Sequence, residues 1–487
     1  MTSRLEVRIA TGKCPTGRVA VGLFAEQKAP WRSVPAELGA AVRAAVRAAG
    51  WKGGEGQRVE REAAGARRLE VRGLGAAADF EPRKLRSFVE AAVEAAKAAG
   101  ERRLTLVVPD HPVSRGGVAG ERTARWAALA GYRFDEFLSK RSESPLGAVT
   151  LWVPAAERGE WSSGAATASP IAAGVERARD LANTPPNVAT PEWMAEKARE
   201  LAREHGGRAT VLGPAELAKR GMGGILAVGG GSSHPPRMVR LELGRGRRKV
   251  ALVGKGITFD TGGISIKPAA SMEEMKWDKS GACTVLGVVD AVARLDLDVR
   301  LRVYLALAEN MPDGSAYRPG DIVRCANGKT VEIVNTDAEG RMILADALSW
   351  ASTEAPDHLL ELSTLTGACV VALGQTGAGL FTPDDRLADA LLAAADGAGE
   401  RLWRLPLWSE FLDDMRGSHS DLKNSGPRWG GASTAAAFLS QFAAPLESWA
   451  HLDIAGPAYV GEGRSRRGAT GYGVATICHW LSTLERG

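Results

Sequence analysis

Two carboxylates stand two residues apart in one short polar segment, Asp337 and Glu339 within Asn335–Arg341. The segment directly follows the strand-like apolar run 331–334, and Arg341 adds a cation two residues after the second carboxylate. Carboxylate oxygens bind hard or borderline divalent metals, and such metals activate water for hydrolysis. This pattern therefore indicates metal-assisted hydrolysis.

A second charged cluster lies upstream, on a glycine-rich segment that also follows an apolar run. It comprises Lys255, Asp260, Lys267 and Asp278. The glycine spacing of 254–263 fits neither a dinucleotide fingerprint nor a phosphate-binding P-loop. Lys255 and Asp260 alone could form a surface ion pair. With so many charges in one crevice, however, the desolvation cost would be large unless metals neutralised the carboxylates.

Alternating strand-like and helical runs would place these residues together. Such alternation predicts an α/β fold with a mostly parallel central sheet and helices on both faces. We predict that 249–253 and 331–334 are two of its strands and that 254–263 is a loop. Ligands of open α/β sheets bind at the carboxyl ends of strands. Lys255, Asp337 and Thr364 each follow a predicted strand, so we expect them to share one edge.

The chain of 487 residues is too long for one ordinary core, which favours two domains. The segment 155–169 lacks clear periodicity, and a helix is predicted to begin at Ile171. We therefore expect a smaller N-terminal α/β domain at 1–164 and a larger catalytic α/β domain at 165–487.

Charge and composition limit which partners and which cellular location are to be expected. Residues 1–150 hold 26 Lys and Arg against 17 Asp and Glu, a net charge of +9 within a total of +5. A basic N-terminal half could meet nucleic acid, although a solvated arginine-rich surface is the simpler interpretation. No apolar run is long enough for a transmembrane helix. The N-terminus lacks a signal-like apolar region, and the five scattered cysteines fit a reduced, cytoplasmic protein.

The motifs in 170–487 resemble those of the leucyl aminopeptidase family of dinuclear-metal exopeptidases. The family signature NTDAEGR is intact at Asn335–Arg341, and the spacings from Lys255 to Asp278 match the family's metal and catalytic positions. Four more stretches agree in order and spacing: 310–312, 317–321, 364–368 and 449–456. Residues 1–164 carry no such motif, and their assignment follows the family's two-domain plan.

The resemblance implies two divalent metals per subunit, zinc or manganese, with cobalt or magnesium possible. Asp260 and Glu339 would bridge both metals, Lys255 and Asp278 would complete one site, and Asp337 the other. As a ligand Lys255 must be neutral, and the adjacent divalent charge could lower its pKa. Two metals about 3.5–4 Å apart can share a water and activate it.

The resemblance also assigns the groups around the metals. Lys267 would remain charged and polarise the scissile carbonyl. Arg341 would hold a bicarbonate that serves as general base, because its planar fork suits such an anion. The backbone of Ala338, Gly340 and Leu365 would help to cradle that anion. The substrate pocket would be lined by Met275, Asn335, Thr364 and Gly367.

One departure from the family stands beside a ligand. The family usually has Met after the ligand aspartate, whereas this chain has Lys279 after Asp278. The side chain could retune metal affinity or point to solvent, and we expect solvent. Met342 replaces the usual Leu after Arg341, which conserves volume.

Taken together, the residues and the resemblance predict a cytoplasmic, hexameric aminopeptidase that prefers N-terminal leucine and other bulky apolar residues. Peptides with a free N-terminus would be its substrates. The alternative is a DNA-binding or architectural hexamer, with a secondary or no peptidase role, that uses the basic N-terminal domain. A dinuclear phosphoesterase is disfavoured because such sites generally recruit His, which neither cluster contains.

Overall fold

The fold was obtained as a computed structural model, which describes residues 5–12, 17–27, 36–63, 66–141, 144–444, 446–461 and 468–484. The chain divides into two compact units, Met1–Ala172 and Ala173–Gly487. The domain boundary expected after residue 164 stays a prediction. None of the described helices is long and apolar enough to cross a bilayer.

The first unit is built on a six-stranded sheet in the order β1-β6-β5-β2-β4-β3. Every neighbouring pair is parallel except β3 and β4. Its elements are β1 (Glu6–Ala10), β2 (Arg18–Leu23), α1 (Ala36–Ala48), β3 (Arg58–Ala63), β4 (Ala66–Gly73), α2 (Pro82–Ala98), β5 (Arg103–Val107), α3 (Gly116–Leu129) and β6 (Ala148–Trp152).

The segment 155–169, which lacks clear periodicity, is helical from Arg158 onward, so the helix predicted to begin at Ile171 begins earlier. It opens α4 (Arg158–Asn183), and the two units divide within this helix. Trp161 is fully buried, and a Cβ at Gly164 would lie 2.0 Å from the carbonyl oxygen of Gly117 in α3. The helix packs through small residues at close range, so it lacks the apolar stripe on which periodicity depends.

The second unit is built on an eight-stranded sheet in the order β15-β14-β17-β13-β9-β10-β8-β7. The four central strands are parallel, and antiparallel pairs lie outside them. Its strands are β7 (Arg208–Leu212), β8 (Arg237–Leu243), β9 (Arg248–Asp260), β10 (Val299–Asn310), β13 (His358–Ser363), β14 (Gly377–Phe381), β15 (Arg401–Arg404) and β17 (Trp449–Asp453). The expectation of an α/β fold with a mostly parallel central sheet is confirmed.

Helices and two small sheets complete the second unit. The small sheets contain β11 (Ile322–Arg324), β12 (Thr330–Glu332) and β16 (Leu422–Lys423) in one, and β18 (Tyr459–Val460) and β19 (Gly468–Ala469) in the other. The helices are α5 (Pro191–Glu204), α6 (Pro214–Lys219), α7 (Gly223–Gly229), α8 (Ser280–Leu295), α9 (Glu339–Thr353), α10 (Gly367–Leu373), α11 (Asp385–Ala398), α12 (Ser409–Asp413), α13 (Gly431–Ala443) and α14 (Val474–Leu484).

Helices α8 and α9 cover opposite faces of β9. A Cβ at Gly254 would lie 2.7 Å from the Cα of Ala282 in α8, whereas Val253 shares a core cluster with Met342 of α9. Since successive strand residues point to opposite faces, the two helices sandwich the strand. Both helices are buried along most of their length.

Two strand predictions near the charged residues need correction. The segment 254–260 continues β9 instead of forming a loop, because glycines there allow α8 to lie directly against the strand. The run 331–334 does not join the central sheet. Only Thr330–Glu332 is a strand, and it belongs to the small sheet of β11, β12 and β16. Lys255 therefore lies within a strand, and Asp337 does not follow a central one.

Close packing of α8 on the sheet generates a stability prediction. A Cβ at Gly281 would lie 2.1 Å from the carbonyl oxygen of Leu362, so Gly281→Ala must displace backbone. Overpacking of this kind costs roughly 1–3 kcal/mol, and we expect a lower melting temperature by scanning calorimetry. Gly314→Ala is the matched control, because a Cβ there has no neighbour within 4 Å. Equal melting temperatures for both variants would contradict the close packing.

Candidate functional site

The charged residues singled out from the sequence come together at one edge of the central sheet. Lys255 and Asp260 are on β9, and Lys267 is on the loop that follows it. Asp278 follows a 3-10 turn at Met272–Trp277. Asp337 lies just before α9, and Glu339 is the first residue of that helix. Thr364 follows β13.

Three carboxylates form the centre of the cluster. Asp260, Asp337 and Glu339 each offer an oxygen atom, and these oxygens lie within 4.8 Å of one another. Asp260 and Glu339 are buried, and Asp337 is half-buried. Burial raises the pKa of Asp260 to about 6, and it raises that of Asp337. Such crowded carboxylates suit a hard divalent cation.

Lys255 lies between the carboxylates of two different segments. Its Nζ is 2.9 Å from Oδ2 of Asp278 and 2.8 Å from Oε1 of Glu339, and it donates to the carbonyl oxygen of Thr364 at 3.1 Å. Burial alone would lower the pKa of Lys255, but the carboxylates of Asp278 and Glu339 outweigh it and raise the pKa. With only these neighbours, Lys255 is a charged ammonium.

Lys267 joins the other two carboxylates. Its Nζ is 2.8 Å from Oδ2 of Asp260 and forms an ion pair with Asp337. Burial opposes its charge, but Asp260 and Glu339 raise its pKa. Lys267 is less buried than Lys255, with a side chain 21% exposed, so it lies on the solvent side of the cluster.

Asp278 is held by a threonine as well as by Lys255. Oγ1 of Thr364 donates to Oδ1 of Asp278 at 2.6 Å. Burial raises the pKa of Asp278 to about 8, even against the attraction of Lys255. A buried carboxylate in this state gains from an additional cation.

Residues without an assigned role orient the ligands. Asn310 donates to Oδ1 of Asp260 at 2.8 Å and to the carbonyl oxygen of Thr336 at 3.0 Å, which fixes the strand end to the turn before Asp337. Asn424 accepts from the backbone N–H of Val334 at 2.8 Å and donates to the carbonyl oxygen of Asn335 at 2.7 Å. Asn310 of β10 pairs with Asp260 of β9 in the sheet register. The sequence alone does not show this pairing.

Arg341 is buried beside this cluster. Its Nε has no hydrogen-bond partner among the described residues. Burial lowers the pKa of Arg341 to about 10, although Glu339 and Asp453 oppose the shift. A buried guanidinium with a donor to spare fits an anion.

The residues expected to bind that anion through their backbone differ in the contacts they make. The N–H of Ala338 donates to the carbonyl oxygen of Asn335 at 3.2 Å, and that of Leu365 donates to Oδ1 of Asp453 at 3.2 Å. A Cβ at Gly340 would lie 2.6 Å from Cε of Lys255, so only glycine fits there.

Three of the four expected pocket residues touch ligand residues directly. The carbonyl oxygen of Met275 accepts from the N–H of Asp278 at 3.2 Å, and Oδ1 of Asn335 accepts from the N–H of Asp337 at 2.9 Å. Thr364 binds Asp278 as described above. Gly367 begins α10 and is exposed, with no such contact.

Lys279 does not point to solvent, which corrects our expectation. It is fully buried, and its Nζ donates to three backbone carbonyl oxygens. These carbonyls supply the hydrogen bonds that water would otherwise give, which is how an ammonium is accommodated in the interior.

Another group of potential metal ligands contains Glu204, His205 and Asp290. Two arginines occupy its carboxylates. Arg177 and Arg294 each bond to both Glu204 and Asp290 at 2.9–3.0 Å. In the structure this group is an ion-pair network.

Sequence comparison assigns the chain to a family. Residues 176–478 match the profile of the cytosol aminopeptidase family catalytic domain, and residues 20–141 match that of its N-terminal domain. The chain belongs to the cytosol aminopeptidase family. This membership confirms the resemblance seen in the sequence and supports aminopeptidase activity.

Individual relatives align with this chain over most of their length. A probable cytosol aminopeptidase of Dechloromonas aromatica (strain RCB) is 42% identical over 422 residues, 85% of this chain and 84% of the relative. Another, of Geobacter sp. (strain M21), is 44% identical over 423 residues, 85% and 86% of the two chains.

Solved structures share the fold of the whole chain. A mutant of tomato leucine aminopeptidase superposes with a TM-score of 0.88 at 32% identity, covering 99% of this chain and 97% of that chain. The bottromycin maturation enzyme BotP in complex with Mn gives a TM-score of 0.83 at 38% identity, with 96% and 99% covered.

Proposed function

We propose that this protein is a two-metal leucyl aminopeptidase that hydrolyses the N-terminal peptide bond of peptides. The observation that carries the proposal is the convergence of Lys255, Asp260, Asp278, Asp337 and Glu339 on one crevice of a chain from this family. The metal complex of the similar enzyme BotP adds support for a metal at this site.

The five ligands divide naturally between two cations. Glu339 belongs to the half of the cluster that Lys255 links and Asp260 to the half that Lys267 links, and by the family resemblance these two carboxylates would bridge both metals. Lys255 and Asp278 would complete one site and Asp337 the other. Zinc or manganese suits this set, and cobalt or magnesium also accepts carboxylate ligands. When bound, the metals supply Lewis acidity and an activated water.

Lys255 would bind as a neutral amine. An ammonium uses three protons, and Lys255 has three acceptors in Asp278, Glu339 and Thr364. A neutral amine keeps two protons and has one lone pair. It could still donate to the carbonyl oxygen of Thr364 while its lone pair is available to the metal.

A bicarbonate at Arg341 is consistent with the charge count. Four carboxylates balance two divalent cations, which leaves the charges of Lys267 and Arg341. One bicarbonate would neutralise one of those two charges. The unpartnered Nε of buried Arg341 would hold the anion. When bound, the bicarbonate would supply a general base.

The remaining residues would hold the substrate. Lys267 lies on the solvent side, where its ammonium would stabilise negative charge developing on the scissile carbonyl oxygen. Met275, Asn335, Thr364 and Gly367 would line the side-chain pocket, and the adaptable thioether of Met275 favours leucine and other bulky apolar residues.

The proposal also covers the cellular location and the oligomeric state of the enzyme. We expect a cytoplasmic homohexamer whose N-terminal domain, 1–164, serves assembly or regulation. Binding of nucleic acid to the basic N-terminal half remains an alternative. Several of its arginines, including Arg18, Arg72 and Arg125, are engaged with carboxylates, which reduces the charge available to phosphates.

Removing a bridging carboxylate should remove metal and activity together. In Glu339→Ala we expect less than the full complement of metal by elemental analysis, and loss of leucine-amide hydrolysis. Glu200→Ala, on the exposed face of α5, is the control and should retain both. Full metal content with near-normal turnover in Glu339→Ala would eliminate the bridging role.

Removing Lys267 should cost turnover more than metal. In Lys267→Ala we expect kcat to fall on the order of 10²–10³-fold, because one preorganised donor to the oxyanion is lost. Metal content and kcat are measured on the same preparation. Loss of metal with unchanged turnover per bound metal would make Lys267 a ligand instead.

Blocking the substrate's N-terminus should abolish cleavage. A free amine can reach the metals while the adjacent carbonyl meets the nucleophile, whereas acetylation removes the lone pair and adds bulk. Because placement supplies a large share of the rate, we expect a loss of several orders of magnitude. Matched Leu-initiated peptides, free and acetylated, are compared by mass spectrometry. Comparable cleavage of both, or internal fragments, would exclude an aminopeptidase.

A further inference from the structure

Lys279 is a buried cation that the proposed chemistry does not use. Its Nζ donates to the carbonyl oxygens of Ala182 and Thr184, each at 3.0 Å, and of Lys276 at 2.5 Å. The three protons of an ammonium thus meet three acceptors. The side chain satisfies its hydrogen bonds entirely with backbone.

These bonds join two separate segments. Lys276 lies on the turn that leads to Asp278, whereas Ala182 and Thr184 lie where α4 ends. A second link runs in parallel, since Nε1 of Trp277 donates to Oδ1 of Asn183 at 3.0 Å. The residues on both sides of Asp278 are therefore anchored to 182–184.

Asp278 depends on this anchoring more than Asp260 and Glu339 do. Asp260 belongs to a central strand and Glu339 to a long helix, so regular hydrogen bonds fix their backbones. Asp278 lies at the junction between the six-residue 3-10 helix Met272–Trp277 and α8, and its N–H donates to the carbonyl oxygen of Met275. Lys255 and Thr364 hold its carboxylate, whereas the links to 182–184 hold the backbone on both sides of it.

We propose that Lys279 is a positioning residue for Asp278, which sets the affinity of the metal site that Asp278 completes. The inference rests on the proposed two-metal function. Residues that orient ligands typically contribute on the order of 10–100-fold to metal affinity. The positive charge of Lys279 by itself would lower metal affinity, because it repels the metal cations. The two effects have opposite signs, so measurement separates them.

The test is Lys279→Met, which keeps an unbranched side chain of similar length and removes the charge and the three hydrogen bonds. Binding of Mn²⁺ to the metal-free full-length protein is followed by calorimetry, with melting temperature recorded in parallel. Lys197→Met is the matched control, because Lys197 is half-buried on α5 and its partners, Glu200 and the ring of Trp193, are not candidate metal ligands.

We expect one of the two binding steps to weaken about 10–100-fold in Lys279→Met, with the other changed less than about threefold. At saturating Mn²⁺ most of kcat should return. Tighter binding at either step would overturn the proposal and indicate a purely electrostatic effect. A lower melting temperature with both steps unchanged would overturn it as well, leaving a structural role alone.

Trp277→Phe keeps the inference testable if Lys279→Met does not fold. It removes one donor to Asn183 and preserves a ring that can stack on Tyr459. We expect the same step to weaken about threefold. Unchanged binding in a folded Trp277→Phe, beside an unfolded Lys279→Met, would refute the positioning role. Fewer than two steps in the wild type would instead contradict the proposed two-metal function.

Discussion

Burial of four carboxylates in one crevice is the constraint from which the rest of the site follows. Asp260, Asp278 and Glu339 are almost inaccessible to water, and Asp337 is only partly accessible. Charges without water require opposite charges, and the chain supplies Lys255 and Lys267 between the carboxylates. The raised pKa values of Asp260 and Asp278 indicate that these lysines do not fully compensate. Additional cations would therefore stabilise the negative charge of the site.

The scaffold meets this constraint by bringing several chain segments to one strand. Gly254 and Gly281 allow α8 to lie on β9, so that the turn carrying Asp278 reaches the side of Lys255. Gly340 admits the lysine side chain next to α9. Larger residues at these positions would separate the carboxylates and weaken their electrostatic attraction for the lysines.

The sequence predicted which charged residues converge better than it predicted the strands that carry them. Asp337 and Glu339 were recognisable because their spacing is local, and the α/β class followed from alternating runs. Periodicity could not show that β9 continues to Asp260, because Gly254 and Gly256 break the apolar pattern while strengthening the packing. The roles of Asn310 and Asn424 depend on contacts across the fold, which no local pattern reveals.

Lys255 and Lys279 illustrate why residue type alone does not determine a site. Both are buried on segments that carry proposed metal ligands, and burial favours the neutral form of each. Carboxylates surround Lys255 and raise its pKa, whereas Lys279 donates to three carbonyl oxygens, and burial lowers its pKa to about 8. One lysine therefore shares the charge of the ligands, and the other joins the backbone segments behind them. Ligand and support are distinguished by their partners, which only the folded chain defines.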